Sequence, residues 1–124
     1  MRTARRPPTV LLVTADAKAR YRTREHLQAQ GFSVFATGDA RTALSWLVRH
    51  AADIVVADCL LPGTRMAIPH VLRRRGSSCP KLIGIVNAPL SPNDELRRAL
   101  GFDELVCQTT PVVVLAKKLL ELEV

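Results

Sequence analysis

The chain has 124 residues, a net charge of +7 from 18 basic and 11 acidic side chains, 48% hydrophobic residues and 4% aromatic ones. That length suits one domain able to bury a real core, and with so few aromatics the core must be aliphatic. No apolar run approaches the roughly 20 residues of a membrane span, and no apolar stretch with a cleavage site follows the basic start, so the expected location is the cytoplasm and no membrane partner is expected.

Residues 1–8 read as a basic, flexible tail: Arg2, Arg5 and Arg6 precede Pro7-Pro8, and an X-Pro pair holds the chain extended. The domain is expected over 9–124. Thr9–Thr14 is an apolar, β-branched run of the kind that forms a buried parallel strand. Asp16 can cap a helix over Ala17–Gln30, and Gly31 fits its stop. Phe32–Ala36 reads as a second strand. Gly38-Asp39 turns into a helix capped by Asp39, with Ala43, Leu44, Leu47 and Val48 on one face. Ile54–Ala57 is a third strand that runs straight into Asp58, and Pro62-Gly63 marks a turn.

A short helix beginning near Pro69 ends by Arg73-Arg74-Arg75, where cations suit the negative end of the helix dipole. Leu82–Val86 is a fourth strand. Ser91-Pro92-Asn93-Asp94 offers an N-cap, a proline at the first helical position and an acid in the first turn of a helix that ends near Leu100 at Gly101. Leu105–Cys107 is a fifth strand, and Thr110-Pro111 opens a last helix running to about Glu121. Five strands alternating with five helices imply an α/β fold: a doubly wound, five-stranded parallel sheet with helices on both faces.

In such a sheet, ligands and chemistry belong at the C-terminal ends of the strands. Thr14, Ala15 and Asp16 lie there after the first strand, Gly38 and Asp39 after the second, Asp58 and Cys59 after the third, Asn87 after the fourth and Gln108 after the fifth. Asp58 stands out, because a carboxylate at the end of an apolar strand is costly to desolvate. The enzyme signatures are missing. The first loop is not glycine-rich, which removes the dinucleotide fingerprint and the P-loop, and no Ser or Cys sits in a nucleophile elbow. His26, His50 and His70 are scattered over helices without metal-ligand spacing. Cys59, Cys79 and Cys107 are odd in number and far apart, so neither a disulfide framework nor a metal site is expected; Cys59 and Cys107 read as small buried hydrophobes. No catalytic residue and no metal site are expected.

The segment Asp53-Ile54-Val55-Val56-Ala57-Asp58-Cys59-Leu60-Leu61-Pro62-Gly63, with the order of elements, resembles the receiver domains of bacterial response regulators over Thr9 to Leu122. The resemblance implies a flavodoxin-like receiver with Asp58 at the phosphoacceptor position. It also implies that most of the accompanying machinery is replaced. The two acidic positions that help to hold Mg²⁺ fall on Thr14 and Ala15, with Asp16 one residue further on. The switch Ser/Thr falls on Asn87, or on Val86 in a shifted register. The switch aromatic falls on Leu105, and the Lys-Pro pair on Gln108-Thr109. Phosphoryl transfer depends mainly on charge neutralisation, and Mg²⁺ wants carboxylate oxygens. The expected function is therefore a degenerate receiver: a signalling and protein-interaction module, not an enzyme, without cofactor. The alternative is a working phosphoacceptor of a two-component system that uses Asp58, Mg²⁺ and a recruited Asp16. A third reading is nucleic-acid binding through Arg2, Arg5, Arg6 and Arg73–Arg75. It lacks a recognition helix and interleaved aromatics, with only Trp46 and Tyr21 able to stack.

The last helix is the expected interface. On a wheel, Val112, Leu115, Ala116 and Leu119 form the stripe that should cover the sheet. Val113 and Leu120 widen it on one side and Leu122 on the other, and Val114 falls on the opposite face among Lys117, Lys118 and Glu121. A stripe of about 100° suffices to pack a helix, so the surplus predicts a protein partner or homodimer surface on Val113, Val114 and Leu120. Leu105 is expected to join that face. The resemblance points the same way, since receivers commonly use the fourth helix, fifth strand and fifth helix for partners.

Overall fold

The computed structural model describes residues 7–59, 61, 68–73, 80–87 and 90–122. Arg2, Arg5 and Arg6, the Pro62-Gly63 turn, Arg74, Arg75 and Cys79 lie outside them. The elements are β1 (Thr9–Val13), α1 (Ala17–Ala29), β2 (Ser33–Thr37), α2 (Ala40–Arg49), β3 (Ile54–Asp58), α3 (Ile68–Arg73), β4 (Lys81–Val86), α4 (Asp94–Leu100), β5 (Glu104–Cys107) and α5 (Val112–Leu122). The strands form one parallel sheet in the order β2-β1-β3-β4-β5. The α/β, doubly wound, flavodoxin-like architecture read from the sequence is the one observed.

Alternation along each strand sends side chains to two cores. On one face Val10, Leu12, Ile54, Val56, Ile83 and Val106 meet Leu27 of α1 and Leu115, Ala116 and Leu119 of α5. On the other, Leu11, Val13, Val55, Ala57 and Leu82 meet Ala40 and Ala43 of α2, Ile68 and Leu72 of α3, and Leu96 and Leu100 of α4. The central strands β1 and β3 are buried on both faces, which is why they read as continuous apolar runs rather than alternating ones.

The register is pinned at the amino-terminal edge by two aspartates that precede strands. Asp53 Oδ2 accepts the Thr9 N–H at 2.8 Å, and Asp103 Oδ2 accepts the Leu82 N–H at 2.8 Å. Helix starts follow the capping rule. Asp16 accepts the N–H groups of Lys18 and Ala19, and Asp39 accepts that of Thr42 at 2.8 Å. Gly31 and Gly101, at φ +99° and +85°, take the left-handed conformation that follows α1 and α4.

Three local expectations are corrected. β2 begins at Ser33, because Phe32 turns into the core with its N–H bonded to the Leu27 carbonyl. The cap of α4 is Asn93, not Ser91: Asn93 is extended and its Oδ1 accepts the Leu96 N–H at 2.8 Å, leaving Pro92 ahead of the cap. Cys107 is exposed rather than buried, being the last residue of an edge strand, whereas Cys59 is buried as expected.

Candidate functional site

The carboxyl rim of the sheet is held by ladder bonds that run just past the strands. The Thr14 N–H donates to the Thr37 carbonyl at 3.1 Å, that of Cys59 to Ile85 at 2.9 Å and that of Gln108 to Val86 at 2.8 Å. These bonds fix the backbone at the ends of all five strands.

Thr14, Ala15, Asp16, Asp58, Asn87 and Gln108, which the sequence places at strand ends, all line one cavity of about 200 Å³. Its floor is apolar, from Leu12, Ile85 and Val106 of the sheet and Val112 and Leu115 of α5. Asp58 is 7% exposed. Its Oδ2 accepts the Ala15 N–H at 3.0 Å. Burial pushes the Asp58 carboxyl above the ordinary carboxylate range, and the charge of Asp16 pushes the same way, against the opposing pull of the Ala15 N–H and the Thr14 hydroxyl. On the opposite face of the sheet, burial and then the Asp58 charge raise the Cys59 thiol to about 11.

The strand order also assembles residues that the linear reading missed. Arg20, on the first turn of α1, donates from Nη1 to the Thr14 carbonyl at 2.8 Å. A Cβ at Gly38 would stand 2.5 Å from that Nη1, so the bare glycine after β2 makes room for the guanidinium. The signal was present in part: Arg20 lies four residues after the cap Asp16, one turn above the strand end. Thr23, Cys107 and Thr110 also line the cavity. A wider, open hollow of about 760 Å³ runs past Lys18, Tyr21, Arg22, Glu25 and His26, but its described walls come from α1 alone.

Mg²⁺, which this type of rim implies, needs oxygen ligands that converge on an octahedron. Among the described residues the donor set does not meet that need. Asp58 supplies one carboxylate, Thr14 and Ala15 supply none, and the Asp16 Oδ1 is engaged by two α1 N–H groups at 3.0 and 3.2 Å. Among the described residues no three His, Cys, Asp or Glu side chains gather in a way that could hold a metal ion.

The expected interface residues lie apart from this cavity. Val113, Val114 and Leu120 of α5 are 61%, 43% and 44% exposed, while Leu115, Ala116 and Leu119 cover the sheet. Leu105 does not join them. Alternation along β5 turns Val106 toward α5 and Leu105 toward the α2–α4 side, where it packs with the other core. Lys118 pairs with Glu104 and ties α5 to β5. Arg73 donates from Nη2 to the Gly101 carbonyl at 2.7 Å and lies 3.6 Å from Asp103, so it braces α3 against α4. Among the described residues, no helix is long and apolar enough to cross a membrane.

No family model matches the chain, and no curated protein matches it. Solved structures do. The receiver domain of the Francisella response regulator 1452 superposes with a TM-score of 0.81 at 19% identity, over 93% of this chain and 95% of that one. The receiver domain of TorR, the response regulator of a TMAO respiratory system, gives 0.82 at 16% identity, over 94% and 97%. A probable two-component response regulator with a GGDEF domain gives 0.81 at 26% identity; 94% of this chain matches 49% of that one. With five parallel strands in the order β2-β1-β3-β4-β5 and a buried aspartate at the end of β3, the chain has the fold of the response-regulator receiver domains.

Proposed function

We propose that this receiver is a cytoplasmic signalling module that works through protein contacts and not through conventional Mg²⁺-dependent phosphorylation of Asp58. The observation that carries this reading is the charge of the rim cavity. Among the described residues its wall holds two carboxylates, Asp16 and Asp58, and no Lys, Arg or His. A phosphorylated aspartate would bring a charge near −2, and the side chain at the lysine position, Gln108, can hydrogen-bond but cannot offset it. The exposed apolar residues of α5 support a partner or homodimer surface on Val113, Val114 and Leu120. The same features favour a non-enzymatic role.

The reading is tested by intact mass after treatment with acetyl phosphate and Mg²⁺. The expected result is an unchanged mass; a phosphate adduct lost in Asp58→Asn would overturn the reading in favour of a working phosphoacceptor. That second reading draws on Asp16, which lines the cavity with Asp58 and would have to leave its cap to ligate. Nucleic-acid binding is weakened by Arg73, whose guanidinium is committed to Gly101 and Asp103.

A further inference from the structure

In a chain with 18 Lys and Arg residues, none of the described residues that line the rim cavity is basic. The cavity wall carries two carboxylates, the neutral acceptors of Asn87 and Gln108, and an apolar floor from sheet and α5. Asp58 is 7% exposed, and the bonds it receives come from neutral groups, the Ala15 N–H and the Thr14 hydroxyl. Burying a carboxylate without a countercharge is unfavourable. A ligand that supplied a positive head would relieve that cost, and one with a short apolar body would also cover Leu12, Val106 and Leu115.

A metal ion answers this description poorly. Asp16 is drawn to the α1 amides, and the apolar floor offers a cation no oxygen. An alkylammonium has no octahedron to fill. It donates three hydrogen bonds in rotatable directions, which Asp58, Asn87 and Gln108 can share, and its methylene groups suit the floor. The volume sets the size. About 200 Å³, at a water's share of about 30 Å³, holds a body of about six or seven non-hydrogen atoms.

We propose that the rim cavity binds a small primary alkylammonium, its head on Asp58 and its chain on the apolar floor. This rests on the reading of the site as one without Mg²⁺ or phosphate, and it makes ligand occupancy the input of the module.

The test is an amide NMR titration of the full chain with n-butylammonium chloride, with NaCl, MgCl₂ and 1-butanol as parallel arms. Saturable shifts at Ala15, Asn87 and Gln108 are expected with n-butylammonium, weaker ones with 1-butanol, and none that saturate with NaCl or MgCl₂. Asp58→Asn should weaken n-butylammonium binding by about tenfold or more, the loss of one charge-assisted contact. Gln108→Lys, on the exposed rim, should abolish it by placing a tethered ammonium in the same space. Shifts that do not saturate, or that persist unchanged in both variants, would overturn the proposal. Saturation by MgCl₂ with n-butylammonium inert would overturn both the proposal and the reading beneath it. Failure of n-butylammonium with MgCl₂ also inert would overturn the proposal alone.

Discussion

Arg20 and Asp58 hold the two ends of one peptide group. The Arg20 Nη1 donates to the Thr14 carbonyl at 2.8 Å, and the N–H of that same peptide, on Ala15, donates to Asp58 Oδ2 at 3.0 Å. A cation at the oxygen and an anion at the hydrogen both favour this orientation of the peptide dipole, and each bond strengthens the other. The aspartate thus feels the arginine through the backbone of β1's exit, across the strand that separates β2 from β3.

Arg20→Met is therefore expected to raise the Asp58 pKa further and to speed exchange of the Ala15 amide. Arg20→Lys keeps the charge without the planar fork and should fall between the two. Gly38→Ala should act like Arg20→Met, because its Cβ would stand 2.5 Å from Nη1 and push the flexible guanidinium aside. Carboxyl NMR titration checks this. Identical Asp58 titration in all four proteins would mean that the strand alone holds the peptide.

The pH dependence of stability has a definite sign. Burial raises the Asp58 carboxyl above its ordinary value, so the folded chain keeps a proton that the unfolded chain has lost. Over that window the unfolded state binds fewer protons and stability falls as pH rises; above the raised pKa the loss is constant. Asp58→Asn removes this fall. The variant should melt above the wild type at neutral pH, with the gap closing at pH values below the ordinary carboxylate range. Thermal melts across pH decide it, and a variant that melts lower at neutral pH would show that the carboxylate is needed by the fold.

Restoring charges should restore chemistry. Ala15→Asp with Gln108→Lys adds a third carboxylate and a cation to the cavity wall that Asp58 and Asp16 line. Mg²⁺ affinity is expected to rise and the acetyl phosphate adduct to appear. Metal titration by NMR and intact mass measure the two gains, and an inert double variant would place the block elsewhere in the rim.

Along α5 the two faces should separate cleanly. Val113→Glu with Leu120→Lys alters exposed positions and should change stability by no more than about 0.5 kcal/mol. Leu119→Ala, at a side chain with no exposure, should cost about 2–5 kcal/mol. Urea melts measure both. Light scattering and partner capture with the surface pair test the interface directly, and unchanged assembly together with unchanged capture would move it off α5.

Thiol labelling should discriminate between cysteines. Cys59 is buried and its thiol is raised to about 11, so almost no thiolate exists at neutral pH. Cys107 is exposed at the rim. Peptide mapping after brief iodoacetamide treatment of the folded protein should find Cys107 modified and Cys59 untouched, and rapid labelling of Cys59 would reveal frequent opening of β3.

Local chemistry was legible in the linear chain. Apolar runs at Val10–Val13 and Ile54–Ala57 specify strands buried on both faces. Asp16 and Asp39 cap helices by bonding amides two or three residues away, and Gly31 and Gly101 end helices because a positive φ strains other residues. Asp58 was visible as a carboxylate at the end of an apolar strand. The order β2-β1-β3-β4-β5 decided the rest. It set Arg20 across one peptide from Asp58, brought Thr14, Asn87 and Gln108 around one cavity and kept the basic side chains of the described residues off its wall. It also turned Leu105 away from α5, and left Cys107 exposed at the end of the edge strand. Capping and periodicity act over a few residues and can be read in place. The field at a buried carboxylate depends on groups 38 residues upstream and 50 downstream, Arg20 and Gln108, which only the packed sheet brings into range.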